Sequence, residues 1–440
     1  MLLLVSDTRG GFSFYEMARR FPDDPTWRAL SAQFSHVVWS GAALWDLIMP
    51  SFVFLIGIAM PLSHAARVRR GDTAGQMALH TALRVITLLL LGLTLRLPIR
   101  SNVDFIWPFL LLLPGLPLED WTRAALRPSN ARLPSVVHLA VWAIVLGATA
   151  VRLALEVDRL GNYDLGALLP QVAFAYALIY PLVHRPLRVQ VWAFVAILFG
   201  YWLAFALYPL DAAHVSVPYT GWFAHWNMNA NLAADFDLWF INLLPRSVRF
   251  VGDDHGYTTL NFIPTAATML IGMMVGHFLL KGGPAPARVR KGVTVAGVSA
   301  LLAGVVLGTF ACPIVKSIWT PTWVLFSGGI VLLVFALFYF VCEELQVRSG
   351  IWLLVAAGSN SILLYVLASN YKWWVLNRWH DVLGAHVFSG AWQPLLESIA
   401  FMASAWALAL VLHRFRIFIG LCVSMALTKC DAMCSIVRVC

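Results

Sequence analysis

Two residues of this chain have the types needed for acid–base work inside an apolar setting. His36 lies in Gln33-Phe34-Ser35-His36-Val37-Val38-Trp39-Ser40-Gly41, just before a long apolar run, and Asp46 is the single acid within that run, in Trp45-Asp46-Leu47-Ile48-Met49-Pro50. A carboxylate that holds one imidazole nitrogen leaves the other free to take a proton from an amine or hydroxyl. The same nitrogen can instead attack a thioester and carry the acyl group briefly. Either route is acyl transfer. A continuous helix would separate the two residues by about 15 Å, so contact requires a non-helical stretch at residues 36–42, for which Ser40 and Gly41 are suited. Without that contact, His36 is an interfacial histidine and Asp46 a hydrogen bonder between helices.

Further candidates are scattered. Arg84, in His80-Thr81-Ala82-Leu83-Arg84, falls within about two turns of the start of its helix, and with Arg67, Arg69 and Arg70 it could hold the phosphates of a nucleotide-like donor. Arg69 and Arg70 read first as ordinary positive-inside anchors, and Arg84, being deeper, is the better candidate. Asn261 opens a helix, Lys316 stands between two spans in Pro313-Ile314-Val315-Lys316-Ser317-Ile318-Trp319, and Asn360 begins Asn360-Ser361-Ile362-Leu363-Leu364-Tyr365 inside another. Trp39 neighbours His36, and His225 lies in a long polar and aromatic segment with His214, Asp235, Asp237, Asp253, Asp254 and His255. Taken singly, Asn residues are natural helix caps, and Trp319 with Trp323 fits an interfacial aromatic belt.

The elements that must position these residues are membrane helices. Of 440 residues, 60% are hydrophobic and 12% charged, with mean hydropathy +0.76, whereas soluble domains carry about 25% charged residues. The pattern predicts an all-α, polytopic transmembrane helical bundle of about eleven helices: 37–62, 77–97, 103–118, 136–157, 166–183, 189–209, 259–280, 292–311, 322–342, 351–370 and 394–413. Asp104, Pro108, Pro114 and Pro117 interrupt the third, and nine spans remain if two weak ones are absent. The chain then divides into an outer N-terminal segment (1–36), helices carrying the His/Asp pair (37–209), an outer loop (210–258), a second set of helices (259–413) and an inner tail (414–440). Met1–Val5 read as the end of an interrupted hydrophobic helix rather than a signal peptide.

Lys and Arg concentrate in alternate loops, which places His36 outside and the C-terminus inside. The net charge of +9 is spread the same way, so a nucleic-acid partner is not implied. Cys312 and Cys342 stand apart, while Cys422, Cys430, Cys434 and Cys440 crowd the tail without a spacing suited to a disulfide framework or a metal.

Taken together, the stretch Phe34–Gly57, Leu260-Asn261-Phe262-Ile263, the Pro313–Trp323 loop and Gly358-Ser359-Asn360-Ser361-Ile362-Leu363-Leu364-Tyr365 resemble the heparan-alpha-glucosaminide N-acetyltransferase family and its bacterial relatives. The resemblance runs in order from Phe34 to Tyr365. Residues 102–161 and the tail have no counterpart in it, and the chain would start inside the family's first hydrophobic helix. It implies a transmembrane acyltransferase that takes acetyl from cytoplasmic acetyl-CoA, without a metal, and delivers it to a sugar on the far side of a bacterial inner membrane. His36 matches the family's catalytic histidine and Asp46 the acid that follows it. Asn261, Lys316 and Asn360 match motif positions and are expected to line the site, as are Trp39, His225, Trp319 and Tyr365. Expected partners are membrane lipids, a glycan or amino-sugar acceptor and a second copy of the chain. The competing expectation is a proton-coupled secondary transporter using Asp46 and His36.

Overall fold

The computed structural model describes residues 13–97, 99–112, 133–156, 165–210, 219–244, 248–280, 285–347, 349–384, 386–415 and 417–419. The Met1–Val5 segment, His214, and the four cysteines after residue 419 lie outside these residues. Among the described residues the secondary structure is helical, with two isolated backbone bridges, Ser40–Val315 and Asn227–Ala230.

In chain order the helices are α1 (Ser13–Arg20), α2 (Pro25–Gln33), α3 (Ile48–Arg70), α4 (Ala74–Thr94), α5 (Asn102–Leu110), α6 (Leu133–Leu155), α7 (Leu168–Ile179), α8 (Leu187–Ala206), α9 (Leu232–Phe240), α10 (Phe262–Leu280), α11 (Pro286–Gly308), α12 (Pro321–Tyr339), α13 (Ile351–Ser359), α14 (Ser361–Asn370), α15 (Lys372–Leu383) and α16 (Gln393–Arg414). A 3₁₀ turn, Leu44–Leu47, leads into α3, and another, Thr259–Asn261, leads into α10.

Among the described residues seven helices are long and apolar enough to cross a membrane, eight if α13 and α14 together form one bent span. The protein is therefore an all-α, polytopic integral membrane protein.

The other expected spans are short helices or fall partly outside the described residues. The expected third span, 103–118, lies partly outside the described residues; within them it is a nine-residue helix, α5, roughly 14 Å long against a hydrocarbon core of about 30 Å. Ser101 and Asp104 start it by reciprocal capping: Ser101 Oγ accepts from the Asp104 N–H at 3.2 Å, and Asp104 Oδ2 accepts from the Ser101 N–H at 2.9 Å. α6, at 23 residues, has the length of a span, whereas the apolar stretch Leu168–Leu182 is shorter than one. The first span is entered at Leu44 rather than residue 37, because the chain before it is extended and turns at Gly41 with φ +105°.

Glycines set how closely the helices approach. A Cβ on Gly57 of α3 would fall against the Met269 carbonyl of α10, and one on Gly272 would fall against the Phe54 carbonyl. Gly276 meets Ile58 and Pro61 one turn further on, so α3 and α10 run parallel in backbone contact. The α11–α12 pair is closed the same way at Gly297, Gly304 and Gly329. Gly92 of α4 admits Pro170 of α7. The largest apolar core joins α3, α4, α7, α10, α14 and α16 through residues such as Val53, Leu91, Val172, Met269, Val366 and Phe401.

At the N-terminus Met17 is buried, and the Ser13 hydroxyl bonds Ser398 of α16.

Candidate active site

The site forms where the tight α3–α10 seam opens. Asp46 and Asn261 stand the same number of residues ahead of Gly57 and Gly272, about three helical turns from the glycine contact. The connection between α11 and α12, residues 312–320, bonds both edges of that opening. Lys316 Nζ lies 3.0 Å from Asp46 Oδ1, while Asn261 Nδ2 donates to the Ser317 carbonyl. Deeper in the seam, Trp319 Nε1 donates to Thr268 Oγ1 of α10 at 3.1 Å.

Internal bonds hold this connection in shape. Thr320 Oγ1 donates to the Pro313 carbonyl at 2.9 Å and accepts the Val315 N–H at 3.0 Å. Thr320 also caps α12. Trp319 takes a left-handed backbone conformation, φ +48°, and Tyr201 OH of α8 donates to the Ile318 carbonyl at 3.0 Å. A left-handed tryptophan is costly unless its surroundings hold it, and here the buried ring and its indole bond do so.

The His36 segment is stitched onto the same connection. The Gly41 N–H donates to the Ile314 carbonyl at 2.9 Å, and Ser40 bridges Val315. Residues 34–43 are non-helical, so the chain folds back over the first turn of α3 and places His36 Nδ1 2.7 Å from Asp46 Oδ1. The second carboxylate oxygen accepts the Ala43 N–H at 3.0 Å and faces the Val37 N–H at 3.5 Å.

Two titratable side chains, His36 and Lys316, thus share one carboxylate oxygen of Asp46. Lys316 Nζ is also 3.0 Å from His36 Nδ1. An ammonium has only protons to offer, and so does a protonated Nδ1, so the arrangement consistent with all three distances has both nitrogens donating to Asp46 Oδ1. This proton placement follows from hydrogen-bond logic. It leaves Nε2 of the neutral imidazole as a base, and Nε2 makes no hydrogen bond among the described residues.

Exposure follows the same logic. The Asp46 and Lys316 side chains are 0% and 7% exposed, the His36 side chain 40%. The ion pair is buried and the imidazole edge is open.

Aromatic rings frame the cluster. Lys316 Nζ lies 5.7 Å from the Tyr257 ring centroid, and the His36 ring is 6.3 Å from that of Trp45. Trp39 is buried, donates through Nε1 to the Trp226 carbonyl at 3.0 Å, and packs on Gly256, where a Cβ would strike its ring.

The structure therefore gathers His36, Asp46, Lys316, Asn261, Trp39 and Trp319 at one end of the bundle. The remaining candidates do not touch the ion pair among the described residues, although His225 neighbours the Trp226 whose carbonyl holds Trp39. His225 packs edge-on between Trp222 and Trp226, with centroid distances of 5.6 and 6.0 Å. Asn360 bonds the C-terminal segment, donating to the Ile417 carbonyl at 3.2 Å and accepting the Ile419 N–H at 2.8 Å. Tyr365 packs half-buried against the large apolar core. Arg67 pairs with Asp72 at 3.0 Å, and Arg84 donates to Tyr176 OH at 3.3 Å. Both arginines belong to the opposite end. Tyr257 and the Ala43 backbone were not visible as site groups in the sequence. Tyr257 stands in the loop that precedes Asn261, which is the signal that could have found it.

Fold and site together define an integral membrane helical bundle with a buried ion pair and an exposed histidine at one end. No family model matches the sequence, and no curated protein matches it.

Proposed function

We propose that the protein is a transmembrane acyltransferase that moves an acetyl or related acyl group from a cytoplasmic acyl-CoA to an amino or hydroxyl group of a sugar on the outer side of a bacterial inner membrane. The observation that carries this reading is the His36–Asp46–Lys316 cluster, with one imidazole nitrogen held at 2.7 Å and the other facing outward. In the reaction, His36 Nε2 takes the proton of the acceptor as its nitrogen or oxygen attacks the thioester carbonyl. The C–S bond breaks, and the thiolate leaves to be protonated in turn. Asp46 orients the imidazole and balances the imidazolium that forms. Lys316 keeps Asp46 ionised where burial disfavours a lone carboxylate. The acyl-histidine route uses the same nitrogen as nucleophile.

The packing constrains the donor's route. Backbone contact closes the α3–α10 seam at Gly57 and Gly272, and Pro170 fills the space beside Gly92, so a donor arm must reach His36 along another seam.

The test is thioester loss from acetyl-CoA in membranes containing the protein, with and without amino or neutral sugars. Sugar-dependent loss that disappears in His36→Ala, with protein still in the membrane, is expected. An undiminished rate in His36→Ala removes the assignment.

One observation favours a second reading, a proton-coupled transporter. The α13–α14 pair is bent by 74°, and broken helices recur at the binding sites of secondary transporters, typically in pairs. Proton-coupled sugar uptake without thioester loss would select it.

A further inference from the structure

The long segment between α8 and α10 carries a helix whose two faces do not suit water. α9 (Leu232–Phe240) and the 3₁₀ turn that follows it, Ile241–Leu243, bury Ala233, Ala234, Asp237 and Ile241 against the protein. The opposite face holds Phe236, Trp239, Phe240 and Leu243, at the i, i+3, i+4, i+7 spacing of one helical stripe. Trp239 is 61% exposed and Leu243 62%. The rings pack on one another, Phe236 to Phe240 at 5.3 Å and Phe236 to Trp239 at 5.7 Å, which makes the stripe one apolar surface. The acids of α9 are engaged elsewhere: Asp235 Oδ2 accepts from Tyr208 OH at 2.7 Å, and Asp237 Oδ2 accepts the Thr259 N–H at 2.8 Å. A helix apolar on both sides belongs in a core or in lipid.

What covers this stripe follows from where α9 is tied. Tyr208, which holds Asp235, stands just past the end of α8, a helix long and apolar enough to cross a membrane that leaves Trp192 and Phe199 exposed. At the same helix end the turn Gly221–Trp226 extends that exposed side. Phe199 neighbours Trp202 at 5.8 Å, and Trp202 neighbours the exposed Trp222 at 6.2 Å. Both indole N–H groups donate to the Ala311 carbonyl, at 3.2 and 2.8 Å, just past α11, a second helix of spanning length. Aromatic rings thus collect where two spans end, the level at which they gather along a membrane–water boundary. In water an apolar face of this kind marks a binding surface, and here it adjoins the sides of the bundle that face lipid.

We propose that α9 is an interfacial helix, its Phe236–Trp239–Phe240–Leu243 stripe seated in the phospholipid leaflet at the His36 end of the bundle while its Asp237 side holds the start of α10. The stripe carries no charge, so its partner is the acyl and glycerol region of the lipid rather than a charged headgroup. The seat also couples the leaflet to the site. Thr259, whose N–H Asp237 accepts, opens the turn Thr259–Asn261, and Asn261 donates to the Ser317 carbonyl beside Lys316. The depth of α9 in the leaflet therefore sets the level of the His36–Asp46–Lys316 cluster relative to the membrane surface. This holds whether or not the cluster transfers acyl groups.

The experiment is photolabelling of the full chain in nanodiscs of phosphatidylcholine that carries a diazirine on its acyl chain, with adducts located by peptide mass spectrometry. Adducts are expected on Trp239 and Leu243 as on Phe199 of α8, and not on Asp254 and His255, which are exposed in the same segment. Carboxylates do not stay among acyl chains. Trp239→Asp combined with Leu243→Asp should therefore lose the adducts on residues 232–244 while Phe199 stays labelled. Residues 232–244 free of adducts beside a labelled Phe199 would overturn the interfacial seat. So would labelling of Asp254 and His255 equal to that of Trp239, or labelling of residues 232–244 unchanged in the double variant. Nanodiscs holding two chains, with residues 232–244 shielded from the label, would replace the leaflet by a second copy. Should the double variant fail to fold, the adduct map of the parent decides.

Discussion

The connection at residues 312–320 and the break at Asn360 are both polar interruptions between apolar helices, yet they do different things. The first carries an ammonium onto a buried carboxylate, whereas the second spends its amide on the backbone of Ile417 and Ile419. A polar residue in an apolar chain therefore has two physical uses. It can satisfy backbone groups where a helix stops, or it can meet another charge and an open face. Only the second arrangement supplies a reactive group. The discriminating feature is the partner, and the partner lies 270 positions away in sequence for Lys316 and Asp46.

The largest effect that tests this contrast is on rate. His36→Ala should lower acyl transfer by about 10²–10⁴-fold, the usual contribution of a positioned general base. Asn360→Ala should leave the rate per folded molecule unchanged. Comparable losses in both, measured by thioester consumption, would erase the distinction.

Next comes the ion pair. Lys316→Met leaves the Asp46 carboxylate buried without its cation, which should cost about 3–5 kcal/mol in stability. Adding Asp46→Asn to that variant should recover most of the loss. Denaturation in detergent reads both, and a Lys316→Met protein as stable as the parent would show that the pair does not hold the loop.

The seam below the site should respond less. Gly272→Ala forces α3 and α10 apart at the Phe54 carbonyl, with an expected cost of about 1–3 kcal/mol. The smallest change is Asn360→Ala, about 1 kcal/mol, from the Ile417 and Ile419 backbone groups it leaves unpaired. Protease sensitivity of the segment after α16 checks it, and an unaltered cleavage rate would count against the capping role.

Much of the fold was legible because apolar runs broken by basic loops have few structural solutions in a bilayer. Asp46 stood out for the same reason, as an acid where water is absent. Other features were not legible for definite causes. Val37, Val38 and Trp39 extend the apolar run, but composition does not distinguish wound helix from extended chain packed on protein, and the turn at Gly41 decides it. The bend at Asn360 hides inside a window apolar enough for one span. Lys316 stood out only through the resemblance; by type alone it is a loop cation, because its worth comes from Gly57 and Gly272 holding two distant helices in register. Tyr365 illustrates the converse: a residue type suited to a site, packed here against apolar neighbours of the main core.

The stitch between Gly41 and Ile314 has a bearing on biogenesis. Asp46 leaves the ribosome early and its counter-cation late, after several hairpins have already partitioned into lipid. Until Lys316 arrives, the nascent chain carries an acid without its permanent mate, so closure of this contact marks the insertion of the helices between the two residues, with α12 and the later helices still to follow.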